Sequence, residues 1–254
     1  MLAEGYEVTA AHQATHWWFQ SRRELCLRQV ARAAAEMGAS GHRLRLLDYG
    51  CGTGFDLPHL AAYGDVAGAD LGTELASAAR RDARFPVYEV PRDLDRIRAG
   101  QDVVTAFDVL EHFDDDVEGL RTLESLLVPT GQIVLTVPAH QWLWSGEDVV
   151  SQHRRRYTMR SLRHAVGAAG LVVRFASYFN LTILPGVAAV VWARRLLQRD
   201  WVRATNLSAG GTWTYPLLRC VTGVEARWIG GERLRLPTGT SLVARLARAT
   251  PGPA

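Results

Sequence analysis

LLDYGCGTG, residues 46–54, decides how this chain is read, because an apolar run, an acidic residue and a cluster of glycines follow one another directly. Leu44, Leu46 and Leu47 are interrupted only by Arg45, a pattern suited to a strand of parallel sheet covered on both faces. Gly50, Gly52 and Gly54 then let the backbone bend sharply and let a ligand approach it without a Cβ in the way. A helix is expected to begin near Phe55. A nucleotide-type ligand lying across its N-terminus is the ordinary reading of strand, glycine loop and helix.

Two details bear on which ligand. The spacing is G-x-G-x-G, and Phe55 stands where the dinucleotide fingerprint requires its third glycine. Asp48 lies just ahead of Gly50, where its carboxylate would repel a pyrophosphate and attract an ammonium. S-adenosylmethionine carries an ammonium and a sulfonium and no phosphate. It is therefore the expected cofactor, with S-adenosylhomocysteine as its product.

These residues resemble motif I of the class I S-adenosylmethionine-dependent methyltransferases. VAGADLG (66–72) resembles the second-strand motif of that family, VVTAFDVLEHF (103–113) the fourth and GQIVLTVP (131–138) the fifth. HWWFQSRREL (16–25), HRRRYTMRSL (153–162) and YFNLTILP (178–185) look like a bacterial small-molecule methyltransferase subgroup without an assigned substrate. The resemblance implies a Rossmann-like, doubly wound seven-stranded α/β sheet. It implies Asp48 near the methionine ammonium, Gly50, Gly52 and Gly54 in the cofactor loop, Asp70 on the ribose hydroxyls and Leu71 beside the adenine. Phe107 would lie at the methionine end. Trp18 would close over the cofactor with its aromatic neighbours, and Arg22 would pair with the methionine carboxylate. VYEVPRDLDRI (87–97) departs from the family pattern by placing Pro91 and Arg92 just before Asp93. Asp93 is still expected to reach the adenine amino group, with Leu94 beside the ring.

Strands are expected near 44–49, 65–70, 86–90, 102–107, 132–137, 171–179 and 240–247, with helices alternating among the first five. Leu27, Val30, Ala34 and Met37 have helical spacing, so an N-terminal helix is expected over Trp18 to Met37. Thr158 is the expected N-cap of a helix carrying Leu162, Val166 and Ala169, with Gly170 as its stop. In the family resembled, the last two strands form a short hairpin. Here 180–239 intervenes, too long for a structureless loop, and is expected to hold helices that cover the substrate. The organisation expected is a single methyltransferase domain: a helical cap at 1–40, the cofactor-binding core at 41–179, a lid or insert at 180–239, and the last strand and tail at 240–254.

The 254 residues are 48% hydrophobic, ample for one core. There is no lysine, and the 29 basic residues, all arginine, are spread along the chain, so nucleic acid is not indicated despite a net charge of +3. The fourth-strand string FDVL also differs from the Asn/Asp-Pro-Pro-aromatic string expected of an amino-methylating DNA enzyme. Cys26, Cys51 and Cys220 are odd in number and lack metal-type spacing, so neither disulfides nor a metal site is expected. A cytoplasmic setting fits, and the N-terminus lacks the pattern of a signal peptide. The apolar run Leu181 to Ala193 falls short of the about 18 residues of a spanning helix. Peripheral membrane contact and a homodimer stay open.

His112 is the first candidate base, since an imidazole of ordinary pKa about 6.5 accepts protons near neutrality; the alternative is that Leu-Glu-His only organises the cofactor loop. His153 and Tyr157 are secondary candidates. Arg154, Arg155 and Arg156 read as a receiver for an anionic acceptor or as a solvated face. The expected function is in-line methyl transfer to an oxygen, nitrogen or carbon of a small organic acceptor, in secondary metabolism such as antibiotic biosynthesis. Alignment would contribute about 7–11 kcal/mol and a base about 10²–10⁴-fold. The alternatives are a catalytically silent cofactor-binding partner protein and a methyltransferase for a lipid-linked or quinone-like acceptor at the membrane surface.

Overall fold

β1 (Arg45–Tyr49) lies near the middle of the molecule, with Leu46 packed into the cluster on one face of the sheet and Leu47 into the cluster on the other. The computed structural model describes residues 12–37, 43–71, 84–197 and 214–249. Around β1 stand β2 (Asp65–Leu71), β3 (Val87–Val90), β4 (Gln101–Phe107), β5 (Leu127–Pro138), β6 (Leu171–Phe179) and β7 (Ser241–Arg248). They form a seven-stranded sheet in the order β3-β2-β1-β4-β5-β7-β6. The first five strands pair in parallel, and β7 runs antiparallel to both β5 and β6. The chain leaves β1 toward β2 on one side, while β4 occupies the other. This reversal opens a crevice beyond the strand C-termini, where open α/β sheets take their ligands.

The helices among the described residues are α1 (Trp17–Met37), α2 (Leu57–Leu60), α3 (Leu94–Ile97), α4 (Asp116–Ser125), α5 (Gly146–Val150), α6 (Met159–Ala168), α7 (Leu184–Leu196) and α8 (Tyr215–Gly230). α1 buries Val30, Ala33 and Met37 against Leu46, Val103 and Val134 of the sheet. α6 starts where the sequence indicates: the Thr158 hydroxyl accepts from Ser161 N at 3.1 Å and Ser161 answers in a capping box. Gly170, at φ 78°, lies just beyond its end.

Just after the glycine loop the structure departs from expectation. The helix after the glycine loop starts at Leu57 and is only a short turn, and the Asp56 side chain makes no capping bond. That carboxylate is drawn instead to Arg22 and Arg23 of α1. The stretch 180–239 does contain helices, but α8 docks chiefly on α1: Ser21 and Thr222 hydroxyls meet at 2.6 Å, and Leu25 shares a small core with Ala226 and Ile229. At Gly230 a Cβ would stand 2.5 Å from Arg28 Cδ, so this crossing needs glycine.

Candidate active site

The C-terminal ends of β1, β2 and β4, together with α1, α7 and the segment after β5, enclose a cavity of about 1490 Å³. The glycine loop forms part of its wall. Gly50, Gly52 and Gly54 have φ of 78°, 51° and 77°, a region that glycine enters freely. At Gly50 a Cβ would lie 2.4 Å from Val109 Cγ2, whereas nothing lies within 4 Å of the corresponding point at Gly52. Gly50 is thus packed against protein, and Gly52 forms an open cradle. Gly50→Ala is expected to cost about 1–2 kcal/mol for the left-handed backbone alone, before the clash with Val109 is counted. Denaturant melting of the variant checks this.

Asp48 is buried at the end of β1, in register with Thr105 of β4, whose hydroxyl donates to it at 2.6 Å. Burial, then the negative charge of Asp56, pushes its carboxyl up to about 7. Asp70, one residue before the end of β2, accepts from Gly52 N at 2.6 Å and thereby ties the loop to the neighbouring strand. Leu71, 61% exposed, also lines the cavity.

Trp18 and Arg22 of α1 reach the same cavity, and the Arg22 guanidinium lies over the rings of Trp18 at 5.1 Å and Phe107 at 5.8 Å. Arg22 pairs with Asp108 and stands 3.6 Å from Asp56. Burial opposes its charge, but Asp108 and then Asp56 outweigh this and raise its pKa. Its Nε is buried and has no hydrogen-bond partner among the described residues. Asp108 sits in the left-handed region at φ 56°, held by Thr136, whose carbonyl accepts from Asp108 N at 3.0 Å and whose hydroxyl donates to the carboxylate at 3.1 Å.

His112 and His153 lie together on the cavity wall with ring centroids 4.9 Å apart. Burial, then the neighbouring His153, lowers the His112 pKa to about 4, so its imidazole is neutral at pH 7. His153 Nδ1 lies 2.9 Å from Asp148 Oδ1, and Arg156 grips the same carboxylate through Nε at 2.7 Å and a second guanidinium nitrogen at 2.8 Å. Burial opposes the charge of Asp148, but His153 and Arg156 hold it down to about 2. Glu111, wholly buried beside His112, has its pKa driven well up by burial and then by Asp108.

Four expected site residues lie outside the cavity lining. Gly54 serves the turn itself, its N–H donating to Cys51 O at 2.8 Å. Asp93 pairs with Arg92 and accepts from Glu89 N, which together hold it near a pKa of about 2, and Leu94 packs on the core. Tyr157 is placed in the core rather than at the site, and burial followed by Asp116 raises its pKa far above the ordinary phenol value. Conversely, Asp148, Glu111, Asp56 and Asp108 were not singled out as site residues. The only local signal for Asp148 is the Ser145-x-x-Asp148 capping box.

The residues fit S-adenosylmethionine. Asp48 offers a buried carboxyl that an ammonium would hold ionised, Gly52 an open cradle, and Arg22 a buried N–H with no partner among the described residues. Asp48, Asp56, Asp70 and Asp108 around the loop oppose a pyrophosphate.

Comparison with known proteins agrees with this. Residues 14–174 match a family described as methyltransferase domain. A ubiquinone biosynthesis O-methyltransferase of Psychrobacter cryohalolentis is 38% identical over 112 residues, 40% of this chain and 43% of that protein. The chain therefore spans less than half the length of that relative in the match. Among solved structures, the plantazolicin methyltransferase BamL superposes with a TM-score of 0.55 at 14% identity, covering 89% of this chain and 84% of that one. The [4+2]-cyclase SpnF gives 0.51 at 15%, covering 88% and 81%. At such identities the superpositions show the fold, which serves more than one chemistry. The matched family covers more than half of the sequence, from the aromatic block of α1 into β6, and the chain belongs to the methyltransferase-domain family of S-adenosylmethionine-dependent enzymes.

Proposed function

We propose that this protein transfers the methyl group of S-adenosylmethionine to a small organic acceptor, with oxygen the favoured acceptor atom. The observation that carries this reading is that one cavity holds both a cofactor pole, Asp48 with the glycine cradle, and an imidazole wall, His112 with His153. Bound S-adenosylmethionine supplies an electrophilic methyl, so the chain's own residues chiefly bind, orient and exclude water. Asp48 attracts the ammonium, Asp70 faces the ribose, Leu71 the adenine, and Trp18 with Phe107 walls the methionine end beside Arg22. His153 is the best equipped of the expected bases: Asp148 holds its Nδ1–H, which leaves the Nε2 lone pair for the acceptor proton. Asp93, Leu94 and Tyr157 have no role in this reading.

Oxygen is favoured because the curated relatives are named ubiquinone biosynthesis O-methyltransferases. A quinone-like ring at a membrane surface is supported by α7 and α8. They expose Trp192, Leu196, Leu217 and Trp228, and Val187, Val190 and Leu218 of the same helices line the cavity. No helix among the described residues is long and apolar enough to cross a membrane, so such contact would be peripheral. The curated relatives' names point to ubiquinone biosynthesis and do not confirm a place in secondary metabolism.

Transfer of labelled methyl from S-adenosylmethionine to hydroxylated aromatic rings, with and without an isoprenoid tail, tests the reading. Tight cofactor binding without transfer to any of them would favour a silent binding protein, and binding of NADPH in its place would remove the proposal. His153→Gln is expected to lower turnover by about 10²–10⁴-fold with little change in S-adenosylhomocysteine affinity, measured by steady-state kinetics and calorimetry.

A further inference from the structure

Glu111 lines the cavity, is wholly buried, and neither of its carboxylate oxygens has a hydrogen-bond partner among the described residues. Buried carboxylates are ordinarily paired or bound to a metal. Two imidazoles stand beside this one, with Asp108, Asp148 and Arg156 near enough to act on its charge. One ligand atom each from Glu111, His112 and His153 lies within 4.8 Å of the others, and His153 Nε2 is 3.8 Å from Glu111 Oε1. Two ligands of a tetrahedral ion with bonds of about 2.0–2.1 Å stand about 3.4 Å apart, so small side-chain movements close the set.

His153 also has the support that a metal-bound imidazole usually has. Its Nδ1 lies 2.9 Å from Asp148, which Ser145 N and Arg156 hold in place. A carboxylate behind the second ring nitrogen fixes the tautomer and leaves Nε2 as the free lone pair, on the side of Glu111. We infer that Glu111, His112 and His153 form a binding site for a divalent transition-metal ion, with Asp148 orienting His153 behind it and open coordination positions toward the methyl-transfer cavity. Two imidazoles and one carboxylate suit zinc, and equally cobalt as its probe. The expectation of no metal site rested on cysteine spacing, and this set contains no cysteine.

Only the ion's use depends on the methyl-transfer reading. A cation there draws an anionic acceptor oxygen, and His153 Nε2 then accepts no proton, since one lone pair serves one purpose. Metal binding itself is tested apart from activity. The full chain, stripped with a chelator and free of cofactor and acceptor, is titrated with Zn²⁺ by calorimetry and with Co²⁺ by visible absorption. One ion per chain is expected, with binding weakened at least about 10–100-fold in Glu111→Gln and in His112→Asn. Retained S-adenosylhomocysteine binding and far-ultraviolet dichroism show that these variants fold. No binding by the wild type, or wild-type binding by both variants, overturns the site, and so does binding of the ion elsewhere, read as unchanged Co²⁺ spectra. Ion binding without methyl transfer would remove the methyl-transfer reading and leave the site standing. Full transfer by a protein that binds no ion would do the reverse.

Discussion

Asp48→Asn is expected to weaken S-adenosylhomocysteine binding by about 2–5 kcal/mol, the usual cost of removing one partner of a buried charge pair, or about thirtyfold to several thousandfold. The free carboxyl is held near a pKa of about 7, by burial first and by Asp56 second. An ammonium beside it pulls that value down. Near pH 6 the free side chain is therefore largely protonated and binding must release a proton. Affinity should fall as pH drops from 8 toward 5, by up to about tenfold per pH unit, and should be flat in this window for the Asn variant on this group's account. The folding effect has the opposite direction. A pKa raised above the ordinary 3.8 gives a contribution that is complete below 3.8 and lost as pH rises through about 7. Without cofactor, then, the wild type should lose stability from this group as pH rises from about 4 to about 7, and Asp48→Asn should lack that component. Calorimetry in buffers of different ionisation enthalpy reads the proton, and an Asn variant with wild-type affinity and pH profile would remove Asp48 from the ammonium site.

The second large effect is on stability. Asp148→Ala is expected to cost about 3–5 kcal/mol, because the nearly buried Arg156 loses both of its carboxylate contacts and keeps only a neutral partner for its charge, the Ala139 carbonyl at 3.2 Å. At about 2–4 °C per kcal/mol for a chain of about this size, the melting temperature should fall by roughly 6–20 °C. His153 loses its Nδ1 partner in the same variant, so turnover should fall even at temperatures where the protein stays folded. Asp148→Asn keeps the shape and some hydrogen bonds and should cost less. Scanning calorimetry decides, and an unchanged melting point in Asp148→Ala would mean that Arg156 finds other partners.

The strands were legible because each is a local apolar run between turn residues. All seven expected positions correspond to strands, although β5 begins earlier, at Leu127, than the expected 132. The glycine loop was legible for a related reason: three positive φ values in so short a stretch demand glycine wherever the loop sits. The short helix α2 was less so: a helix was expected from near Phe55, but it starts at Leu57 and runs only to Leu60, with the Asp56 carboxylate taken by Arg22 and Arg23 of α1. Tyr157 misled because its neighbour His153 faces the cavity while its own ring, at the start of the segment leading into α6, turns into the core.

By itself the sequence determined the sheet, the glycine loop and the acidic residue just ahead of it, since these depend on residue periods and on chemistry within a few positions. Only the tertiary structure decided what the rest of the cavity is made of. Glu111 and His112 follow β4, His153 and Asp148 follow β5, and the two segments meet because Arg154 N donates to Glu111 O at 2.8 Å and Arg155 to Phe113 O at 3.0 Å. No local pattern records that meeting. It exists once the parallel pairing of β4 with β5 brings both strand ends to one edge of the crevice, and burial there leaves a carboxylate and two imidazoles facing one another.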